Sequence, residues 1–168
     1  MHKYCLDTSG FSNPVLDLPE HIYVSLWPQI YSKIDSGLFC WNVEIGDELQ
    51  LLTGSLGSCL KKNSKTCCFE VASGDWPWLD YITLVETWQT NFKDYISEYN
   101  GGRKNTIGLN DLSIVAFAKT LGLPLISMEK RSPGGQSTKR MRIPDLCDQV
   151  SVKHFDFNQF LLAEGIKV

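Results

Sequence analysis

The sequence predicts an α/β protein in which a mainly parallel sheet is covered by helices. Short apolar segments indicate strands at residues 2–6, 38–41, 123–127 and 151–154, and segments with helical periodicity lie between them. Strands that alternate with helices along a chain favour a parallel sheet. The 168 residues suit one domain and contain no internal repeat, so we expect a single domain over residues 1–168.

Six segments are predicted as helices, at residues 19–34, 42–52, 75–99, 110–121, 143–150 and 158–164. Pro28 falls inside the first of them and should kink it or split it near Trp27. Asn42 is a suitable cap for the second helix, and Gly122 ends the fourth.

The remaining segments are expected to be irregular. Asn13 and Pro14 begin a loop, and Gly54 and Gly57 loosen the chain after the second helix. Residues 130–142 are predicted as a polar loop because they combine basic residues with glycine and proline. The segment 64–73 fits neither pattern clearly.

Composition and charge bear on the class of protein. The formal net charge of −3 lacks the strong basic signature of many nucleic-acid-binding proteins, although an acidic centre can offset a basic rim. No apolar run approaches the roughly 18 residues of a membrane span, and no signal-peptide pattern is present, so we expect a cytoplasmic protein. The six cysteines contain no C-x-x-C pair and the three histidines complete no zinc spacing, which predicts free thiols.

Four carboxylates occupy positions at which a parallel α/β sheet gathers functional groups. Asp7 directly follows the first predicted strand, and Glu129 follows the strand that ends at Ser127; the crevice of such sheets lies at the carboxyl ends of the strands. Asp111 is in phase with the apolar stripe of its helix, where a lone charge is costly unless a metal is shared with other acids. Glu48 lies on the second helix, with Glu44 one turn earlier as its rival.

Each of these acids also has a simpler explanation. Asp7 could form a local turn, and Asp111 could complement the helix dipole. Glu48 could lie on a solvated face, and Glu129 could pair with a basic neighbour. The sequence has no glycine-rich phosphate loop and no G-x-S-x-G elbow, which leaves nucleotide cradling and Ser-His-Asp catalysis without support.

Several motifs resemble those of PIN domains, a family of metal-dependent nucleases. Residues 4–9 resemble the opening strand of that family, which ends in Asp, then Thr or Ser, then Asn or Ser. Glu48 resembles the helical acid of the family. The helix that opens with Asp111 and stops at Gly122, and the strand that runs into Glu129, resemble two later segments.

A bacterial PIN-like branch of unknown function, grouped with toxins of toxin–antitoxin systems, fits best. Its strand ends in Thr/Ser-x-Glu-Lys, as residues 127–130 do, and a Lys/Arg-Ile-Pro-Asp-apolar-Cys motif follows, as at residues 142–147. The chain departs from the pattern at Asn110, where many relatives have Ala. Ordinary PIN domains also carry Asp rather than Glu at the position of Glu129, so Asp145 could supply or support an acid there.

The resemblance implies a three-layer α/β/α PIN-like fold and a metal-dependent endoribonuclease, the toxin of a toxin–antitoxin system. Its metal would be Mg²⁺ or Mn²⁺, which prefer hard oxygen ligands. The implied ligands are Asp7, Glu48, Asp111 and Glu129, with Thr8, Ser9 and Asp145 in support. The implied partners are RNA, a cognate antitoxin and a second copy of the chain. Single-stranded RNA is the expected substrate because its backbone and unstacked bases are accessible.

Five basic residues are candidates for contacts with RNA phosphates: Lys130, Arg131, Lys139, Arg140 and Arg142. A solvated loop explains them equally well, and Gly134 and Gly135 fit that alternative. Trp76 and Trp78 could contact a partner protein, although we expect core packing for at least one of them.

Two other functions stay open. The first is a catalytically weak PIN-like module that binds a partner protein, which four intact acids argue against. The second is a phosphohydrolase of small substrates with Asp7 as its nucleophile, which Ser9 weakens because such enzymes carry a second Asp at that position.

Overall fold

A five-stranded sheet forms the centre of the computed structural model, which describes residues 1–133 and 140–167. Its strands are β1 Tyr4–Leu6, β2 Phe39–Asn42, β3 Cys68–Phe69, β4 Leu125–Ile126 and β5 His154–Phe155. They lie in the order β3-β2-β1-β4-β5, and every neighbouring pair is parallel. The first strand is therefore central, and all carboxyl ends meet at one edge of the sheet.

Eight α-helices cover this sheet in the described parts of the chain. They are α1 Ser9–Asp17, α2 Leu26–Asp35, α3 Val43–Gln50, α4 Gly54–Cys67, α5 Trp78–Asn91, α6 Leu109–Leu121, α7 Ile143–Val150 and α8 Phe157–Ala163. Helix α6 packs against α3, α5 and α7, whereas α2 packs on α4 and α1 on α8. The predicted α/β class, with three layers and a parallel sheet, is confirmed. None of the described helices is both long and apolar enough to cross a membrane.

Aromatic side chains fill the core on both faces of the sheet. Tyr4, Phe11, Phe39 and Phe160 pack edge-on or tilted against one another on the side of α1 and α8. On the side of α6, Trp76 packs against Phe117 and is buried, as expected for at least one of the two tryptophans.

The two helices that carry Asp111 and Glu48 are the elements that the sequence predicts best. Helix α6 buries seven consecutive residues and ends at Gly122, whose φ of 66° is left-handed and suits glycine. Helix α3 is capped by Asn42, whose side chain accepts a hydrogen bond from the Ile45 amide. The Asn42 amide also donates to Ser113 Oγ at 2.8 Å, which ties the end of β2 to α6.

The predicted loop at Asn13 and Pro14 is wrong. Both residues lie inside α1, and Pro14 is buried together with Phe11. Burial of these side chains against the core outweighs the hydrogen bond that proline removes from the helix.

The predicted helix over residues 19–34 is only half correct. Helix α2 begins at Leu26, and Pro28 lies in its first turn, where a missing N–H costs little. The preceding residues form turns, and the Trp27 indole N–H donates to the Leu18 carbonyl at 2.6 Å.

Gly54 and Gly57 do not loosen the chain, because α4 begins at Gly54. A Cβ on Gly57 would lie 2.2 Å from the Leu52 carbonyl oxygen, so glycine permits the close approach of α4 to the end of α3. The ambiguous segment contains the end of α4 and the edge strand β3.

The long helix predicted over residues 75–99 is also too long. Helix α5 ends at Asn91 and is followed by a 3₁₀ turn, Lys93–Tyr95. Ile96 then pairs with Ile107 in an isolated bridge, so the chain leaves the helical path before α6. The last strand starts later than predicted, at His154, because Ser151 takes a left-handed turn after α7.

All six cysteines are free thiols, as predicted. Cys5 and Cys40 face each other across β1 and β2, with their sulfur atoms 3.8 Å apart.

Candidate active site

Asp7 lies at the carboxyl end of the central strand and is buried, with 4% of the residue exposed to solvent. Its Oδ2 accepts hydrogen bonds from the backbone N–H of Ser9, at 3.0 Å, and from the Ser9 hydroxyl. Ser9 Oγ in turn accepts from the Met128 amide at 3.0 Å, which joins this turn to the end of β4. The hydrogen bonds that form the local turn therefore also orient the Asp7 carboxylate, so the turn and a role in the site do not exclude each other.

Glu48 is the acid of α3 that reaches this edge of the sheet. Its Oε2 accepts from Thr8 Oγ1 at 2.6 Å, and its Oε1 accepts from the Asn110 side-chain amide at 2.9 Å. Thr8 follows Asp7 in the chain and Asn110 precedes Asp111. Glu44 is exposed on the same helix.

Asp111 occupies the first turn of α6 and is half-buried. Its Oδ2 accepts from the Gly108 amide at 2.9 Å, so it caps its own helix. Glu98 assists at the same terminus, because its Oε1 accepts from the Leu109 amide at 3.1 Å. The capping role expected from the helix dipole is present, and the second oxygen of Asp111 takes no part in it.

Glu129 and Asp145 have different surroundings at the start of α7. Glu129 Oε2 accepts a hydrogen bond from the Ile143 amide at 2.9 Å. A single oxygen of Asp145 accepts from the Ser132 amide at 3.0 Å and from the Arg142 amide at 2.9 Å. Asp145 therefore closes the loop onto the helix terminus, while Glu129 lies closer to the strand ends.

Burial and mutual repulsion raise the proton affinity of the two central acids. Burial raises the pKa of Asp7 to about 6 against the hydrogen bonds from Ser9, and the charges of Glu129 and Glu48 add to the rise. Burial raises the pKa of Asp111 to about 7 against the Gly108 hydrogen bond, with repulsion from Glu129, Asp7 and Glu48. The four predicted acids therefore lie within electrostatic range of one another.

The donor set of this cluster is chemically suited to a hard divalent cation, since every donor is a carboxylate oxygen. Within residues 1–133 and 140–167, Oδ1 of Asp7, Oδ1 of Asp111 and Oε1 of Glu129 accept no hydrogen bond. No lysine or arginine of those residues forms an ion pair with any of the four acids. The same residues contain no group of three His, Cys, Asp or Glu side chains already gathered as metal ligands.

The basic residues predicted to contact phosphate differ in whether other side chains of the protein already bind them. Arg131 is bound through two nitrogens to Asp148, at 2.8 and 3.0 Å, and Arg142 donates to Asn105 Oδ1 at 2.6 Å. Lys130 is exposed and Arg140 is half-buried. Lys139, like Gly134 and Gly135, lies outside the described residues.

Two cavities flank this edge of the sheet. The smaller, of about 240 Å³, borders Glu129 and lies between the end of β4, the start of α7 and α8. The larger, of about 620 Å³, lies at the β3 edge between α3, the end of α4 and Trp76, and it contains none of the four predicted acids.

Asn110 is the contact that sequence reasoning missed. In the sequence, Asn110 stands out only as a departure from the Ala of many relatives, yet its side chain donates a hydrogen bond to one oxygen of Glu48. Its place in the first turn of α6, directly before Asp111, is the signal that could have revealed it.

The fold and the cluster together define a class of protein: a parallel three-layer α/β domain with converging acids at the carboxyl ends of its strands. The chain belongs to the family described as "Domain of unknown function (DUF4411)", which matches residues 4–168. This membership spans almost the whole chain, and it assigns no activity because the function of the family is unknown.

Comparison with solved structures gives matches to several chains. One is the 2.2 Å structure of VapBC-1 from nontypeable Haemophilus influenzae, with 15% identity and a TM-score of 0.48, covering 92% of this chain and 98% of that one. No curated protein matches the chain.

Proposed function

We propose that the chain is a Mg²⁺- or Mn²⁺-dependent endoribonuclease that cuts single-stranded or structured RNA. One observation carries the proposal: the Glu48 carboxylate is held between Thr8 and Asn110, the chain neighbours of Asp7 and Asp111. Asp7, Glu48 and Asp111 are thereby held near one another, and the charge of Glu129 acts on both aspartates. None of these acids has a basic partner among the described residues. A cation from outside the chain would balance that charge.

Asp7 and Asp111 are the side chains that would hold the ion most directly, since each has one oxygen without a hydrogen-bond donor among the described residues. Glu129 would add a third free oxygen, and Glu48 would act through its charge. When bound, such an ion lowers the pKa of an attacking water and stabilises charge on the leaving oxygen of a phosphodiester.

The surrounding residues would orient the acids. Ser9 fixes Asp7 and links it to β4, so the Asp7 carboxylate cannot turn away from the sheet edge. Thr8 and Asn110 do the same for Glu48, one on each oxygen. Lys130, exposed next to Glu129, and Arg140 are available to attract the RNA backbone.

The toxin role extends this proposal and is supported by the PIN-like sequence motifs. A cognate antitoxin would then cover the acidic edge of the sheet, and the toxin would act as a homodimer. Expression of the chain alone should slow bacterial growth, and Asp7→Ala should relieve that inhibition.

RNA cleavage with Mg²⁺ or Mn²⁺ tests the proposed function. Wild-type protein should cut a single-stranded RNA of mixed sequence, and Asp7→Ala should not. Asp17→Ala is the matched control, because Asp17 is an exposed acid at the far end of α1, and it should keep full activity. Equal cleavage by Asp7→Ala and wild type, or no cleavage with either ion, contradicts the proposal; turnover of a phosphomonoester without RNA cleavage would instead identify a small-substrate phosphohydrolase.

A further inference from the structure

The cavity beside Glu129 has a size and a lining that the proposed cleavage chemistry does not use. Its volume of about 240 Å³ is below the roughly 300–1,000 Å³ usual for pockets that hold drug-sized ligands. It opens at the ends of β4 and β5, next to the acid that adds repulsion to both Asp7 and Asp111. A single planar ring fits this space better than a whole nucleotide.

The walls of the cavity combine apolar surfaces with a cation. Met128 and Pro144 supply apolar surface. Arg131 lines the same space, and its planar guanidinium makes two hydrogen bonds to Asp148 at the surface. Unpaired RNA bases stack on aromatic side chains and on arginine planes, and extruded bases also stack on apolar side chains.

The polar lining is ordered before any ligand arrives. His154 Nε2 lies 2.8 Å from Ser127 Oγ, and Ser127 is fully buried, so the imidazole ring is fixed at the cavity wall. Gln159 uses its Oε1 to accept from the Asp156 amide, and its amide nitrogen makes no hydrogen bond within the described residues. Donors at fixed places can read the edge of a base.

The charges around the cavity argue against a phosphate as its occupant. Lys130 and Arg131 contribute two positive charges, and Glu129 and Asp156 contribute two negative ones. The lining is therefore formally neutral, which suits a neutral ring more than an anion.

From these contacts we infer that the cavity binds one unpaired nucleobase of the RNA, adjacent to the phosphodiester bond that is cut. The inference rests on the proposed nuclease function and deepens it. Gln159 is the residue that would determine the preferred base, and His154 together with Arg131 would hold the ring.

The test replaces single bases of a substrate RNA by abasic sites. Cleavage sites are first mapped on a single-stranded RNA with wild-type protein and Mn²⁺. Binding of the mapped RNA is then measured by fluorescence anisotropy with Asp7→Asn protein, which should bind without cutting. We expect one abasic position beside the cut bond to weaken binding by about tenfold, in line with the loss of one stacked base, and the other positions to have little effect.

Gln159→Leu, added to this protein, should remove most of the difference between intact and abasic RNA. Asn158→Leu is the matched control, because Asn158 is the preceding exposed residue of α8 and does not line the cavity. It should keep the tenfold difference.

The outcomes separate the two proposals. RNA that is cut and bound, with no abasic position standing out, overturns the base site alone. A difference that survives Gln159→Leu also overturns it. Failure of wild-type protein to cut RNA overturns the proposed function, and the base site with it.

Discussion

Two buried carboxylates in this chain have opposite surroundings. The Glu164 side chain is 5% exposed and binds Lys3 Nζ at 2.5 Å, Lys33 Nζ at 2.9 Å and the Tyr4 hydroxyl at 2.8 Å. Asp7 is more deeply buried, but its hydrogen bonds come from Ser9 alone and the nearby charges are acids. The first carboxylate fastens the C-terminal segment to β1 and α2, and the second lies at the end of the same strand.

The difference appears in the pKa values. Burial alone would raise the pKa of Glu164, but hydrogen bonds from Lys3, Lys33 and Tyr4 lower it to about 2. Burial raises the pKa of Asp7 to about 6 because no cation of the described chain offsets it. The fold supplies two cations to Glu164, whereas the described residues supply none to the acids at the strand ends, which fits the proposal that a bound cation balances their charge.

The largest effect should separate two acids in the first turns of α6 and α7, helices that pack against each other. Asp111→Asn should lower RNA cleavage by roughly 10²-fold or more, since the amide keeps the cap on α6 but loses the charge. Asp145→Ala should keep cleavage within a few-fold and lower the melting temperature instead, because the Ser132 and Arg142 amides at the start of α7 lose their acceptor. Initial rates and thermal melts of both variants check this, and the reverse pattern would move the metal site towards α7.

Neutralising the two buried carboxylates should change stability in opposite directions. Asp7→Asn should stabilise the metal-free protein at neutral pH by on the order of 2 kcal/mol, because the folded state no longer holds a desolvated charge. Glu164→Gln should destabilise it by about 2 kcal/mol, a value reduced by the solvent exposure of Lys3 and Lys33. Urea unfolding without divalent ions measures both, and a destabilised Asp7→Asn would contradict the comparison.

The same comparison predicts the dependence of stability on pH. Between about pH 4 and 7, folded Asp7 and Asp111 bind more protons than they do unfolded, so the free energy of unfolding should fall as the pH rises. Between about pH 2 and 4.5 the opposite holds for Glu164, whose contribution is complete only above that range.

The metal-free protein should therefore be most stable near pH 4 and lose stability towards pH 7.5. Saturating Mn²⁺ should reduce that loss, and so should Asp7→Asn combined with Asp111→Asn. Urea titrations across this range measure the effect. Stability that rises steadily from pH 5 to 7.5 in metal-free buffer would show that groups of the protein itself already balance the negative charges of Asp7 and Asp111.

The smallest effect should come from Asn110. Asn110→Ala removes one of the two hydrogen bonds that hold Glu48 and should slow cleavage by about three- to tenfold at saturating RNA. Asn110→Asp should be slower still, because it adds a like charge beside Glu48. Steady-state rates test this, with Asn91→Ala, an exposed residue at the end of α5, as the control.

Sequence reasoning reached the elements whose signals are local. The apolar stripe of helix α6 and the glycine that ends it, Gly122, are visible in the sequence, and the capping residue Asn42 predicts where α3 begins. It missed features that depend on packing between distant segments. Pro14 is tolerated in α1 because its ring is buried, and Gly57 is required because Leu52 lies against it.

The same limit applies to the site. The carboxyl ends of parallel strands meet at one edge of the sheet, and this rule predicts the positions of Asp7 and Glu129 without knowledge of side-chain contacts. That Thr8 and Asn110 hold Glu48, or that Asp145 binds the Ser132 amide, depends on segments 13 to 62 residues apart in the chain, and no local pattern encodes it.

Binding of Mn²⁺ to the purified protein, measured by isothermal titration calorimetry at pH 7.5, tests the central claim most directly. The account predicts saturable binding to wild-type protein, binding that is lost in Asp7→Asn and in Asp111→Asn, and binding that is unchanged in Glu164→Gln. Equal binding by wild type and Asp7→Asn, or no binding at all, would contradict the claim that the acids at the strand ends hold a divalent cation.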